Sequence, residues 1–271
     1  YKKMGKGKWG RARGGQPIFY PPKAQIPRVS ISVKGFSERW RTFAAPTLKT
    51  TLTYKHDETR LHMHKDRILV VGAGGQIGSV LTEALRLRYG ADRVIATDIR
   101  PLHDPSGPSA ILDALDRAAL DAACAQYNVT QIYHLAAILS ATGEKDPMRA
   151  WDINMNGLFN VLEIARLRQL DKVYFPSSIA VFGSNARHDG TPQNENLTPE
   201  TVYGISKAAG ENWCNYYHKR YGLDVRSLRY PGIVGYQSPP GGGTTDYAVD
   251  IYHYAVADKP YVCFLKPDAR L

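Results

Sequence analysis

Tyr203 and Lys207 lie four residues apart and are the groups in this chain best suited to moving a proton. On a helix that spacing stacks a phenol and an ammonium on one face, one turn apart. There the ammonium can draw down a phenol pKa that starts at about 10, making a base for an alcohol proton. The stretch Phe175-Pro176-Ser177-Ser178 supplies a hydroxyl, Ser178, that can orient the same alcohol. Taken alone, a Tyr-x-x-x-Lys is an ordinary amphipathic helix surface. What lifts this one above that reading lies upstream.

Val71-Gly72-Ala73-Gly74-Gly75-Gln76-Ile77-Gly78 follows the apolar run 67–71 and opens a helical pattern. In that context Gly72 allows a tight turn, Gly75 lets phosphates approach the backbone and Gly78 lets helix and strand lie close. Gln76 and Ile77 then sit at a helix N-terminus, against a dinucleotide pyrophosphate. Asp98, twenty residues past Gly78 at a strand end and followed by Ile99, is placed to accept hydrogen bonds from the adenosine ribose. A carboxylate there repels a 2′-phosphate and favours NAD over NADP, although Arg100 weighs the other way. Asp113 and Ala114, after Ala110-Ile111-Leu112, are candidates for adenine contact, with an exposed loop acid as the plain alternative.

These residues need a frame. Apolar strands at 67–71, 93–97, 131–135, 172–175 and 224–228 alternate with helical patterns at 76–89, 116–127, 148–169 and 203–221. Gly90 closes the first helix as its C-cap, and a further helix is expected at 245–257. Such alternation predicts an α/β fold with a Rossmann-type, doubly wound parallel sheet, whose ligands bind beyond the carboxyl ends of the strands. His134, inside an apolar strand, reads as a packed, hydrogen-bonded residue rather than a base. Asn154, on the long helix, is an amide able to fix backbone near the Tyr/Lys pair.

Charge divides the chain. Residues 1–66 hold 15 Lys/Arg against 4 Asp/Glu, whereas the whole chain carries only +10, so residues 67–271 are close to neutral. The basic segment reads as a disordered arm, an organelle-targeting segment or, least well, a nucleic-acid arm, because nothing downstream extends a basic face. No nucleic-acid partner is expected. No apolar run is long enough for a membrane span, and no membrane partner is expected. Cys124, Cys214 and Cys263 are odd in number and widely spaced, which fits reduced thiols better than a disulfide frame or a zinc site; no metal is expected.

From about Arg67 to Leu271 the chain resembles the extended short-chain dehydrogenase/reductase superfamily. The resemblance lies in the glycine turn, His134-Leu135-Ala136-Ala137, Asn154-Met155-Asn156-Gly157, Pro176-Ser177-Ser178 and Tyr203…Lys207. Within it, Leu139-Ser140-Ala141-Thr142-Gly143-Glu144, Val202 to Lys207, Leu228-Arg229-Tyr230-Pro231-Gly232 and Gly241 to Val249 resemble the short-chain L-threonine 3-dehydrogenases. That resemblance implies NAD-dependent oxidation of L-threonine at C3 to 2-amino-3-ketobutyrate, by a homodimer. By position it makes Tyr203 the base, with Lys207 and Ser178 beside it. It places Leu135, Ala136, Ala137, Asn154, Pro176, Tyr230, Gly232 and Ile233 around the cofactor, and Ser140, Thr244 and Thr245 on the substrate. Eukaryotic members are mitochondrial, which suits a basic, acid-poor leader; bacterial members are cytoplasmic. The chain stops at Leu271, so the C-terminal substrate lobe is expected to be incomplete. The alternatives are a nucleotide-sugar epimerase or dehydratase of the same superfamily, and a non-catalytic dinucleotide-sensing module.

Overall fold

Alternating strand and helix patterns become one six-stranded, all-parallel sheet in a computed structural model that describes residues 30–31, 65–102, 106–235 and 245–263. Its strands are β1 (Ile68–Val71), β2 (Val94–Asp98), β3 (Ser109–Ile111), β4 (Gln131–His134), β5 (Lys172–Ser178) and β6 (Val225–Tyr230). They lie in the order β3-β2-β1-β4-β5-β6. The order reverses between β1 and β4, and the crevice beyond the carboxyl ends at that reversal is where open α/β sheets bind ligands.

β1 and β2 are buried at every position, which is why they read as unbroken apolar runs. Successive side chains point to opposite faces. Leu69, Val71, Ile95 and Ile132 join a cluster with Leu120, Leu158, Leu162 and Tyr217. Ile68, Val70, Val94 and Ala96 face the other way, onto Leu85. Replacing a fully buried residue such as Leu158 by alanine is expected to cost roughly 2–5 kcal/mol.

The helices are α1 (Gln76–Tyr89), α2 (Arg117–Gln126), the single turn α3 (Ser140–Gly143), α4 (Pro147–Leu167) and α5 (Val202–Tyr221). Asp116, Asp146 and Thr201 cap α2, α4 and α5 by accepting from Ala119, Arg149 and Gly204 backbone amides. Asp146 and Pro147 together explain why α4 starts ahead of the expected 148. The turn α3 was not anticipated from the sequence.

Strand ends differ from expectation by one to three residues, and two of the differences show their cause. The strand at 131–135 stops at His134, because the Leu135 and Ala136 amides both turn to the Val71 carbonyl, at 2.7 and 3.0 Å. The strand at 172–175 instead continues to Ser178, paired with β6 as far as Ser178↔Tyr230. Its pairing with β4 ends at Tyr174, so Pro176 sits where β5 has one neighbour and its missing amide is tolerated.

The chain divides into two units, Leu48–Asp250, which holds this sheet, and Tyr1–Thr47 together with Ile251–Leu271. Among the described residues of the second unit, Ser30–Ile31 pairs antiparallel with Tyr261–Val262. The helix α6 (Tyr247–Val256) begins in the first unit. Apart from Ser30, Ile31, Lys65 and Asp66, the expected basic extension lies outside the described residues. No helix among the described residues is long and apolar enough to cross a membrane.

Candidate active site

The glycine turn joins β1 to α1. Gly72 has φ +89°, and a Cβ there would stand 2.6 Å from the Ala136 amide nitrogen. The Gly72 and Ala73 amides are held by the Thr97 carbonyl at 2.8 and 2.9 Å. At Gly78 a Cβ would come within 2.2 Å of the Gly72 carbonyl, so helix and turn approach as only glycine permits. Alone among the four longest helices of the sheet unit, α1 has no side-chain cap. Its amides and the positive end of its dipole are therefore available to an anion. Gln76, the first residue of α1, donates its side-chain amide to the Ile233 carbonyl at 3.4 Å, and Ile77 follows it.

Asp98 ends β2, nearly buried, with Oδ2 accepting from the Gly74 amide (3.0 Å) and Oδ1 from the Arg100 amide (3.3 Å). The ribose candidate thus lies against the glycine turn, while Ile99 beside it is exposed. Asp113 is exposed and accepts from the Leu115 amide at 2.9 Å, whereas Ala114 is buried. Leu135, Ala136 and Ala137 follow β4 at the switch point.

Tyr203 and Lys207 occupy the first turns of α5. Lys207 is buried, donates to the Pro176 carbonyl at 2.7 Å, and sits 4.6 Å from the Phe175 ring centroid and 5.5 Å from that of Tyr203. Burial pushes its pKa down to about 8. Tyr203 is half-buried. Burial raises its phenol above the ordinary value, opposed by a hydrogen bond with the Ser178 side chain. This corrects the expectation that Lys207 depresses the phenol. The ammonium spends its hydrogen bond on a backbone carbonyl, and desolvation of the phenol outweighs what opposes it. Ser178 also accepts from the Ala180 amide at 3.1 Å.

Asn154 is buried between the site's walls. Its carbonyl accepts from the Ile138 amide (2.8 Å), and its side-chain amide donates to the Ile138 carbonyl (3.1 Å) and to Ser206 Oγ (3.2 Å). Ser206 in turn donates to the Tyr203 carbonyl at 2.7 Å. His134 is buried, as its setting implied, but its Nδ1 finds no hydrogen-bond partner among the described residues. The expectation of a hydrogen-bonded ring therefore fails at that atom. Burial, then the Lys207 charge, lowers its pKa to about 3, so the ring is neutral. Ser140 opens α3, half-buried.

Tyr230, the last residue of β6, accepts a hydrogen bond from the Tyr174 hydroxyl at 2.7 Å. Thr245 donates to the Ile233 carbonyl at 3.1 Å, and a Cβ on Gly232 would meet its methyl at 2.3 Å. Its hydroxyl is thus engaged with the segment expected to border the cofactor. Thr244 lies outside the described residues.

The sequence reading missed the group behind Ser178. Glu211 accepts from Ser177 Oγ at 2.5 Å and takes both Nε and a terminal nitrogen of Arg229 at 2.8 Å. Burial works to raise the Glu211 pKa, but the Arg229 and Ser177 bonds bring it below the ordinary value. The spacing of Glu211, four residues past Lys207, was the available signal.

The model of the NAD dependent epimerase/dehydratase family matches residues 68–258. An uncharacterized epimerase/dehydratase of Staphylococcus haemolyticus is 45% identical over 210 residues, 76% of this chain and 66% of its own. The chain thus spans less than two thirds of that relative's length, and 64% of that of a Staphylococcus saprophyticus relative. These relatives are bacterial and lend no support to a mitochondrial location. Among solved structures, a partial-consensus L-threonine 3-dehydrogenase superposes with TM-score 0.73 at 54% identity, covering 74% of this chain and 66% of its own. A GalE-like L-threonine dehydrogenase from Cupriavidus necator, in its holo form, gives 0.72, also at 54% identity and with the same two coverages.

Proposed function

The chain belongs to the NAD dependent epimerase/dehydratase family, and from that premise we propose that it oxidises L-threonine at C3 to 2-amino-3-ketobutyrate. The observation that carries this reading is the Tyr203 phenol, hydrogen-bonded to Ser178 beside the buried Lys207, at the carboxyl end of β5. The 54% identity to L-threonine dehydrogenase structures supports the choice of substrate.

The residues present fit NAD. The uncapped N-terminus of α1 and the glycine cradle suit a pyrophosphate, and Asp98, held at the strand end, suits a ribose. When bound, NAD supplies the hydride acceptor. Ser178 then orients the substrate hydroxyl, and Tyr203 exchanges the hydroxyl proton. Burial favours the protonated phenol, the form that donates in the reductive direction. Oxidation draws on the tyrosinate and is therefore favoured by alkaline conditions. Lys207, charged below its pKa of about 8, anchors this part of α5 to β5 through the Pro176 carbonyl. Asn154 and Ser206 hold the Ile138 backbone and the Tyr203 turn in register. Ser140, Thr244 and Thr245 are proposed to place the amino acid.

The experiment is a spectrophotometric assay of purified protein with NAD and L-threonine, run beside serine, allo-threonine and uridine-diphosphate sugars. Reduced cofactor appearing with L-threonine is expected. Turnover of a nucleotide sugar without threonine oxidation counts against the reading.

A further inference from the structure

The turn that carries Ser140 is pinned to the helix that carries Tyr203 at both of its ends. At one end Asn154 holds the Ile138 amide and carbonyl and reaches Ser206 on α5. At the other end, 58 residues apart in sequence, Glu144 Oε1 accepts the Val202 amide at 2.8 Å. Val202 is the first residue of α5 and Tyr203 the second.

This bond is not needed to start the helix. Thr201 already caps α5 through the Gly204 amide at 3.0 Å. Helix N-termini leave several amides without partners, and Glu144 takes one of them from a different part of the chain. Glu144 caps the end of α3, its amide returning to the Ser140 carbonyl at 3.1 Å, so fixing Glu144 fixes Ser140 one turn away. Packing leaves little slack between the two. A Cβ on Gly143 would touch Val202 and Ala150 side chains at 3.3 Å.

We propose that Glu144 is a positioning residue, tying the Ser140 turn to the first turn of α5 and so setting the separation between Ser140 and Tyr203. This rests on the reading above that both residues face the substrate. Glu144 itself touches neither reacting atoms nor cofactor; it acts through Val202.

Two variants of the full chain test it. Glu144→Ala removes the acceptor, and Glu144→Gln keeps an oxygen that can accept from Val202. With L-threonine, Glu144→Ala is expected to raise KM about fivefold, the equilibrium change that loss of one capping bond produces, with kcat changed less. Glu144→Gln is expected to restore KM. In parallel, amide exchange at Val202 is expected to speed up in Glu144→Ala and not in Glu144→Gln. An unchanged KM in Glu144→Ala, or a fall in kcat that glutamine does not rescue, would overturn the proposal. If the wild-type chain leaves L-threonine untouched, the substrate assignment fails, and exchange decides alone: faster Val202 exchange only in Glu144→Ala supports the tie, and equal exchange in both variants overturns it.

Discussion

Replacing Lys207 by methionine is expected to stabilise the protein at neutral pH while removing its activity. Lys207 is 4% exposed, and its ammonium donates to the Pro176 carbonyl. Burial lowers its pKa from 10.5 to about 8, a bias against the charged form of about 3 kcal/mol at 1.36 kcal/mol for each pH unit. Because the folded pKa lies below the unfolded one, the folded state holds fewer protons between pH 8 and 10.5. Wild-type stability should therefore rise across that window and be flat in this respect below it. Methionine escapes the penalty but leaves the buried Pro176 carbonyl without its donor, a loss of about 1–3 kcal/mol. The net gain at pH 7 is about 0–2 kcal/mol. The sharper signature is the pH dependence. Urea titrations of both proteins at pH 7, 8, 9 and 10.5 should show the wild type gaining about 3 kcal/mol relative to the variant across the upper window. Parallel stability curves over that range would refute the argument that Lys207 is a charge held in the interior against its solvation preference.

Other expectations concern the site directly. Tyr203→Phe should lower the oxidation rate by roughly 10²–10⁴, the usual worth of a positioned acid–base group, with NAD affinity nearly unchanged in calorimetric titration. The oxidation rate of the wild type should climb about tenfold per pH unit through the neutral range, as more of the phenol, whose pKa burial raises, ionises; a flat stopped-flow profile would contradict this. Gly78→Ala forces a Cβ against the Gly72 carbonyl and should destabilise the fold by about 1–3 kcal/mol in thermal melts, with NAD binding weakened more than tenfold.

Much of the frame was readable because it is local. Apolar runs buried on both faces and helices with apolar spacing follow from residues within a few positions of one another, and the glycine turn marks where the sheet begins. Strand ends were read less well. β5 runs on through Pro176 because its neighbour stops short, which depends on pairing across the sheet. At the site, the four-residue spacing of Tyr203 and Lys207 foretold proximity but gave the wrong sign for the phenol. The sign comes from how deeply the ring lies and from where Lys207 sends its hydrogen bond, neither of which spacing encodes. Likewise the links from Ser177 to Glu211 and from Glu144 to Val202 join residues 34 and 58 positions apart, and only the folded chain brings them together.

The most direct test follows one atom. L-Threonine deuterated at C3 should transfer its deuterium to the nicotinamide ring, seen by mass spectrometry of the recovered cofactor, in the wild type and only at trace rate in Tyr203→Phe. Unlabelled reduced cofactor, or equal labelling rates in the two proteins, would contradict an oxidation at C3 served by Tyr203.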